Sequence, residues 1–239
     1  MKLVIFAGGL GTRISEETDY VPKPMVKIGK KPILWHIIKY YSVFGFSEFI
    51  ICGGYKINVI KNYFKKSNKK LNKSWIVKVI NTGVNSNTGE RLRKIKKYVG
   101  NTFCLTYGDG LSNVDINKLI HFHKKNQSIA TVTAVKPTPH FGKIIFKGNK
   151  VTKFLEKDHT KENWINGGFF VCEKEIFKYL NKKNSIFEID VLGLLVKKKK
   201  LVAYKHNDFW YCMDTLRDKR HLNNLWSLKK APWKIWNEK

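Results

Sequence analysis

The sequence predicts an α/β fold: a mixed, mainly parallel sheet with helices on both faces and a small antiparallel extension. Three observations predict it. Short apolar runs alternate with amphipathic stretches through the first half, glycines close those runs, and in the second half strands follow one another across Pro, Gly or Asn turns. The chain has 239 residues, 43% hydrophobic and 13% aromatic, which excludes disorder as the whole-chain state. No long linker and no internal repeat interrupts it, so one domain over 1–239 is expected.

The elements follow in order. Leu3–Phe6 reads as a buried strand ending at Gly8-Gly9. Pro32 opens a helix over Ile33–Phe44, stopped near Gly45, because proline suits a first turn and glycine a helix end. Phe49–Cys52 is the next strand, followed by a helical Asn58–Phe64 and an exposed polar loop over Lys65–Ser74. Ile76–Ile80 and Phe103–Tyr107 read as strands, and Glu90–Tyr98 and Asp115–Lys124 as helices. Ile129–Val135, Lys143–Phe146, Val151–Leu155 and Ile165–Val171 form the expected antiparallel extension. Helical stretches close the chain near Lys174–Leu180, Glu188–Lys197 and Thr215–Ser227.

Composition narrows the function classes. Lys+Arg number 46 against 18 Asp+Glu, a formal charge of +28. Lysines are spread over the whole chain, with runs at Lys65-Lys66, Lys69-Lys70 and Lys197–Lys200. Lys, Asn and Ile, all encodable by A/T-only codons, are abundant together, so compositional drift accounts for the charge, with attraction to phosphate-bearing small substrates second. No zinc finger, RRM signature or basic zipper accompanies it, and no nucleic-acid partner is expected. No run approaches the roughly 18 apolar residues of a membrane span, and Met1–Ala7 is too short for a signal peptide. A cytoplasmic protein without a membrane partner is expected. Cys52, Cys104, Cys172 and Cys212 lie far apart in apolar runs, which predicts buried free thiols in a reducing compartment.

Gly8-Gly9-Leu10-Gly11-Thr12-Arg13 follows the first strand directly. It is neither a dinucleotide fingerprint, since Ile14 holds the third glycine position, nor a Walker A loop, since no Gly-Lys-Ser/Thr closes it. The physics is shared. Glycines let backbone N–H groups approach an anion, and the carboxyl end of a first parallel strand is where α/β folds bind ligands. Arg13 adds a charge-assisted contact to phosphate. In Pro22-Lys23-Pro24, two prolines are expected to hold the chain stiff and extended, presenting Lys23 at a fixed angle.

Asp109 stands between two glycines past an apolar strand, and Asp214 follows the apolar run Phe209–Met213. Two readings stand for each: a helix cap or turn, or one of two carboxylates converging on Mg2+. Asp115 and Asp218 read as ordinary helix-start and helix-surface charges. Ser86–Arg91 reads as a polar loop. Glu156, Lys157 and Asn166 suit sugar hydroxyls and a phosphate, or else a surface ion pair and a turn. Trp210 and Tyr211 read as core packing, with a stacking surface as the alternative. The seven histidines form no metal motif, and no Ser-His-Asp or Cys-His arrangement stands out, which fits chemistry without a covalent intermediate.

The glycine loop followed by Pro-Lys-Pro resembles the signature of the sugar-phosphate nucleotidyltransferase family. Within it, the chain is similar to the branch that transfers a cytidylyl group to glucose 1-phosphate. Ile14–Thr18, Lys31–His36, Thr106–Gly110, Trp164–Phe170, Met213–Lys219 and Ala231–Lys234 carry that narrower match, and the likeness runs from first residue to last. The resemblance implies a Rossmann-like nucleotidyltransferase fold, with residues 1–128 mainly for the nucleotide and 129–239 mainly for the sugar phosphate. It implies transfer from CTP to α-D-glucose 1-phosphate, giving CDP-glucose and diphosphate for surface-polysaccharide (O-antigen) dideoxysugars, in a homo-oligomer.

By the same resemblance, Arg13, Lys23 and Asp109 are catalytic, and Asp109 and Asp214 hold Mg2+. Nucleotide contacts are implied at Ala7, Gly8, Gly9, Leu10, Gly11, Thr12, Arg13, Lys23, Ser86, Thr88, Arg91 and Gly108. Sugar-phosphate contacts are implied at Gly142, Glu156, Lys157, Asn166 and Gly167. The alternatives are the same chemistry with another nucleoside triphosphate or sugar 1-phosphate, or an inactive nucleotide-binding relative. Three departures stand out: Glu90 replaces the usual glycine and is expected to crowd its loop or reset its backbone angle, Asp158 replaces the usual proline, and the Lys65–Ser74 stretch is short.

Overall fold

A computed structural model describes residues 1–67, 74–137, 143–155 and 164–237. In β1 (Lys2–Ala7), Leu3, Ile5 and Ala7 pack into one core while Val4 and Phe6 pack into another. A strand with both faces covered has no polar side, which is why residues 3–7 are all apolar.

The chain continues through α1 (Ser15–Thr18), the small ribbon β2 (Lys27–Ile28) and β3 (Lys31–Pro32), α2 (Ile33–Val43), β4 (Glu48–Gly53), α3 (Ile57–Ser67) and β5 (Ile76–Asn81). Next come α4 (Thr88–Lys94), β6 (Thr102–Tyr107), β7 (Gly110–Ser112), α5 (Ile116–Asn126) and β8 (Ala130–Val135). The hairpin β9 (Lys143–Lys147) and β10 (Lys150–Leu155) precedes β11 (Ile165–Glu173), α6 (Leu192–Lys197), β12 (Leu201–His206), β13 (Trp210–Cys212) and α7 (Leu216–Ser227).

Seven strands form the central sheet in the order β12-β8-β11-β6-β1-β4-β5. β1 pairs in parallel with both β4 and β6, β4 with β5, and β12 with β8, whereas β11 is antiparallel to both its neighbours. The chain leaves β1 toward β4 on one side and returns to β6 on the other. That reversal opens a crevice at the carboxyl end of β1, where the glycine loop begins. Side chains of α2, α3, α5 and α7, among them Ile37, Phe64, Leu119 and Leu222, cover one face. Leu92 of α4 and Leu195 of α6 cover the other, with Phe187 and Val191. The sheet with helices on both faces is thus the expected one.

The second half differs from expectation. β8 and β11 are not part of an antiparallel extension; they lie inside the central sheet, because their side chains are buried on both faces. Of these four expected strands, β9 and β10 alone form a separate antiparallel ribbon, with Phe146 and Phe154 exposed; β2 with β3 and β7 with β13 make two further small ribbons. β12 was not expected, since an edge strand buried on neither face lacks a strong apolar signal. Lys174–Tyr179 is a 3-10 helix, and the stretch expected as helix from Glu188 opens with a π-helical turn, Phe187–Val191. Lys65 to Ser67 end α3 rather than opening a loop, and the rest of that loop lies outside the described residues up to Ser74. Asp115 does cap α5, accepting from the Lys118 backbone N–H at 3.0 Å, an arrangement worth about 1 kcal/mol.

Candidate active site

The glycine loop is fixed from behind by α4. Arg91 is 4% exposed. Its Nη2 donates to the Gly8 carbonyl at 2.9 Å and to that of Val84 at 3.1 Å, and its Nη1 to Thr82 Oγ1 and the Gly83 carbonyl, both at 2.8 Å. A Cβ at Gly8 would lie 2.1 Å from Arg91 Nη1. Gly11 has a left-handed φ of +73°, and Thr18 Oγ1 donates to its carbonyl at 3.2 Å. The Gly8 and Gly11 carbonyls of the loop are thus tied from behind.

Lys23 is presented differently from expectation. Pro22 is extended, but Lys23–Met25 forms one 3-10 turn, closed by Met25 N–H donating to the Pro22 carbonyl at 2.7 Å. Pro24 lacks an N–H, and this bond does not need one. The turn points Lys23 across the crevice. Its ammonium donates to Asp109 Oδ2 at 2.6 Å and Asp214 Oδ1 at 2.5 Å. Arg13 Nη1 donates to Asp214 Oδ2 at 2.9 Å. Four residues separated by up to 201 positions thus meet at one point. Burial opposes the charge on Lys23, but Asp109 foremost, with the hydrogen bonds to both carboxylates, outweighs it and raises its pKa. Burial likewise opposes ionisation of Asp214, and Lys23 and Arg13 outweigh it, holding the carboxyl below the usual range.

Asp218 explains why Asp214 is free to face Lys23. It is not the surface charge expected but 7% exposed. Its Oδ2 accepts from the backbone N–H of Asp214 at 3.0 Å, from that of Thr215 at 2.7 Å and from Thr215 Oγ1 at 2.8 Å, while Oδ1 accepts from the Tyr211 hydroxyl at 3.0 Å. Thr215 and Asp218 form the capping box of α7. The cap therefore belongs to them, and the Asp214 carboxylate is left for cations.

A metal fits here. Ligand atoms of Asp109, Cys212 and Asp214 lie within 4.8 Å of one another. Two carboxylates suit a hard divalent ion, and the Lys23 ammonium between them shows that the gap already accepts a cation. The Cys212 thiol, pushed up by burial and then by Asp109, is protonated and is no ligand for a hard ion.

A cavity of about 410 Å³ opens from this point over the loop. Of the residues expected to bind nucleotide, Ala7, Gly8, Gly9, Gly11, Arg13, Lys23, Ser86, Thr88, Arg91 and Gly108 line it, together with Asp109. Leu10 and Thr12 do not, and Leu10 is half exposed. Ser86 is held by its own bond to the Thr82 carbonyl at 2.5 Å and by Lys94 at 3.1 Å. Glu90 does not crowd the loop as expected. It turns away, pairing through both oxygens with Arg93 at 2.8 and 2.6 Å, and its backbone N–H donates to Ser185.

Sequence reasoning missed Glu188, Tyr107, Asn87 and Ile186, which also line the cavity. Glu188 accepts from the Thr88 hydroxyl at 2.7 Å and from the Tyr107 hydroxyl, and Asn166 Nδ2 donates to Tyr107 Oη at 3.4 Å. Glu188 carried no signal beyond lying in a helical stretch. Gly142, Glu156, Lys157 and Asp158 lie outside the described residues. Gly167 does not line the cavity; its carbonyl accepts from Trp210 Nε1 at 2.6 Å, so this half-buried tryptophan anchors the Asn166 segment rather than offering a free face. Tyr211 spends its hydroxyl on Asp218 and its ring on His221. His36 is a core group bound to the Ile28 carbonyl at 2.9 Å, and burial lowers its pKa to about 4.

A family model described as "Nucleotidyl transferase" matches residues 2–223. Glucose-1-phosphate cytidylyltransferase of Salmonella typhimurium is 44% identical over 256 aligned positions, covering 99% of this chain and 100% of that protein. A Bacillus subtilis protein named as a probable glucose-1-phosphate cytidylyltransferase is 39% identical over 255, again 99% and 100%. The crystal structure of HddC from Yersinia pseudotuberculosis superposes with a TM-score of 0.73 at 24% identity, covering 94% of this chain and 99% of that one, which speaks to the fold. The chain belongs to the nucleotidyl transferase family, in its glucose-1-phosphate cytidylyltransferase branch.

Proposed function

We propose that this chain transfers a cytidylyl group from CTP to α-D-glucose 1-phosphate, forming CDP-glucose and diphosphate. The observation that carries the reading is the Lys23 ammonium bridging Asp109 and Asp214 at the rim of the glycine-loop cavity, in a chain with full-length relatives named for this activity. We assign the triphosphate to the Gly8–Arg13 loop, where glycines let backbone N–H groups approach an anion while Arg91 holds the Gly8 carbonyl back. The base is assigned to the wall of Ser86 and Thr88, within the half 1–128, and the sugar to the side of Asn166, within 129–239.

An oxygen of the sugar phosphate attacks the α-phosphorus in line. A P–O bond forms there as the bond to the β-phosphate bridging oxygen breaks, and that electron pair leaves on diphosphate. A phosphate monoester is already an anionic nucleophile, so no general base is required. The burden is to hold two polyanions together and to stabilise charge on the phosphoryl oxygens. Lys23 and Arg13 supply fixed cations there. Asp109 and Asp214 would hold Mg2+, which when bound neutralises phosphate charge.

A cytoplasmic location, a homo-oligomer and supply of CDP-glucose to surface-polysaccharide synthesis belong to the same proposal. No helix among the described residues is long and apolar enough to cross a membrane. The test is diphosphate release across a panel of four nucleoside triphosphates and several sugar 1-phosphates. CTP with glucose 1-phosphate should give the highest kcat/KM. A higher value for another pair reassigns the substrates, and binding of CTP without diphosphate release overturns the enzymatic reading.

A further inference from the structure

We propose that Cys212 turns the Asp109–Asp214 pair into a mixed oxygen–sulfur site that captures a thiophilic divalent ion of the Zn2+ class. The cluster is held together by the backbone. β13 pairs Cys212 with Gly110, next to Asp109, and the Met213 N–H donates to the Asp109 carbonyl at 2.9 Å. Asp214 is pinned two residues on by Asp218. The three ligand atoms lie within 4.8 Å of one another, and the Lys23 ammonium shows that a cation fits between the carboxylates. A tetrahedral ion with bonds of 2.0–2.3 Å needs its ligand atoms about 3.5 Å apart. Side-chain torsions can close the remaining gap of at most about 1.3 Å.

Cys212 differs in this respect from the other thiols. Cys52, Cys104 and Cys172 are fully buried among sheet side chains, whereas Cys212 is half-buried with its sulfur within 4.8 Å of a ligand oxygen of each aspartate. Sulfur adds nothing for Mg2+, which prefers oxygen, but favours Zn2+ and Cd2+ strongly. On binding, a metal–sulfur bond forms, the thiol proton passes to solvent, and the Lys23 ammonium gives up the carboxylates. An ion held in this way blocks Mg2+, so the Zn2+-class ion acts as an inhibitor.

The inference rests on reading Asp109 and Asp214 as divalent-ion ligands. The experiment titrates the full chain with Cd2+ alone and follows the ultraviolet charge-transfer band of a cadmium–thiolate bond. Wild type should saturate at one equivalent. Cys212→Ser and Cys212→Ala should both lose the band while keeping the far-ultraviolet circular dichroism of wild type, and using both keeps the test sound if one fails to fold. With Mg2+ present, the Zn2+ concentration for half-inhibition should rise at least roughly tenfold in whichever of the two variants retains turnover. No band in wild type, or an unchanged band in both variants, overturns the proposal. Calorimetric titration with Mg2+ separates the two readings. A cadmium band without Mg2+ binding faults the Mg2+ role of the carboxylates, and Mg2+ binding without a cadmium band faults the sulfur ligand alone.

Discussion

Replacing Lys23 with methionine removes the bridging cation at nearly constant volume. The ligand oxygens of Asp109 and Asp214 then face each other within 4.8 Å. Two unit charges at that separation repel by about 3.5 kcal/mol at an effective dielectric near 20. Their side chains are 24% and 30% exposed, so solvent screening brings the expected loss of stability to about 2 kcal/mol at pH 7. In the variant a carboxyl pKa rises, and the repulsion is relieved as pH falls through it. The deficit should therefore shrink at pH 5, measured by urea denaturation at both pH values. Turnover should fall about 10²–10³-fold, since one preorganised charge contributes roughly 3–4 kcal/mol to the transition state. Mg2+ should bind more tightly, because the ammonium no longer competes for the carboxylates. Turnover within tenfold of wild type would show that Lys23 does not stabilise the transition state, and an equal stability deficit at both pH values that it does not screen the two carboxylates.

Asp218→Ala strands four donors at once and should cost about 3 kcal/mol in urea denaturation, with Asp218→Asn milder. Arg91→Lys cannot reproduce the forked contacts to Gly8, Thr82, Gly83 and Val84, and should raise the KM for CTP about tenfold or more in initial-rate assays with less effect on folding. The Lys23–Asp214 contribution has defined pH limits. Asp214 titrates below its unfolded value near 3.9, so its share is present above that and is lost as pH falls through the lowered folded value. Lys23 titrates above its unfolded value near 10.4, so its share is present below that and is lost as pH rises through the raised folded value. The wild-type stability due to this pair should be flat between about pH 5 and pH 9 by thermal denaturation.

The parts of this molecule that were legible in the sequence are those where local chemistry and tertiary role coincide. The β1 run and its glycine loop could be read because a buried parallel strand is apolar on both faces and a backbone anion site needs glycine. Asp109 and Asp214 were found as candidates but not decided, since a cap and a metal ligand share the same local pattern. That Asp214 is not the α7 cap depends on Asp218, which is buried against Tyr211 and forms that cap with Thr215. β8 and β11 were misplaced because turn residues between strands announce hairpins, while membership of a sheet depends on partners far along the chain. Glu188 and Tyr107 were missed for the same reason: they meet only after the π-helical turn packs beside α4.

Arg13, Lys23, Asp109 and Asp214 should surround the reacting phosphates. The most direct measurement is the crystal structure with a non-hydrolysable CTP analogue and Mn2+, using the anomalous signal to find the metal. One peak is expected between Asp109 and Asp214, with the triphosphate along Gly8–Arg13 and Lys23 turned to a phosphate oxygen. A metal peak away from both aspartates, or phosphates outside the loop, would contradict this arrangement.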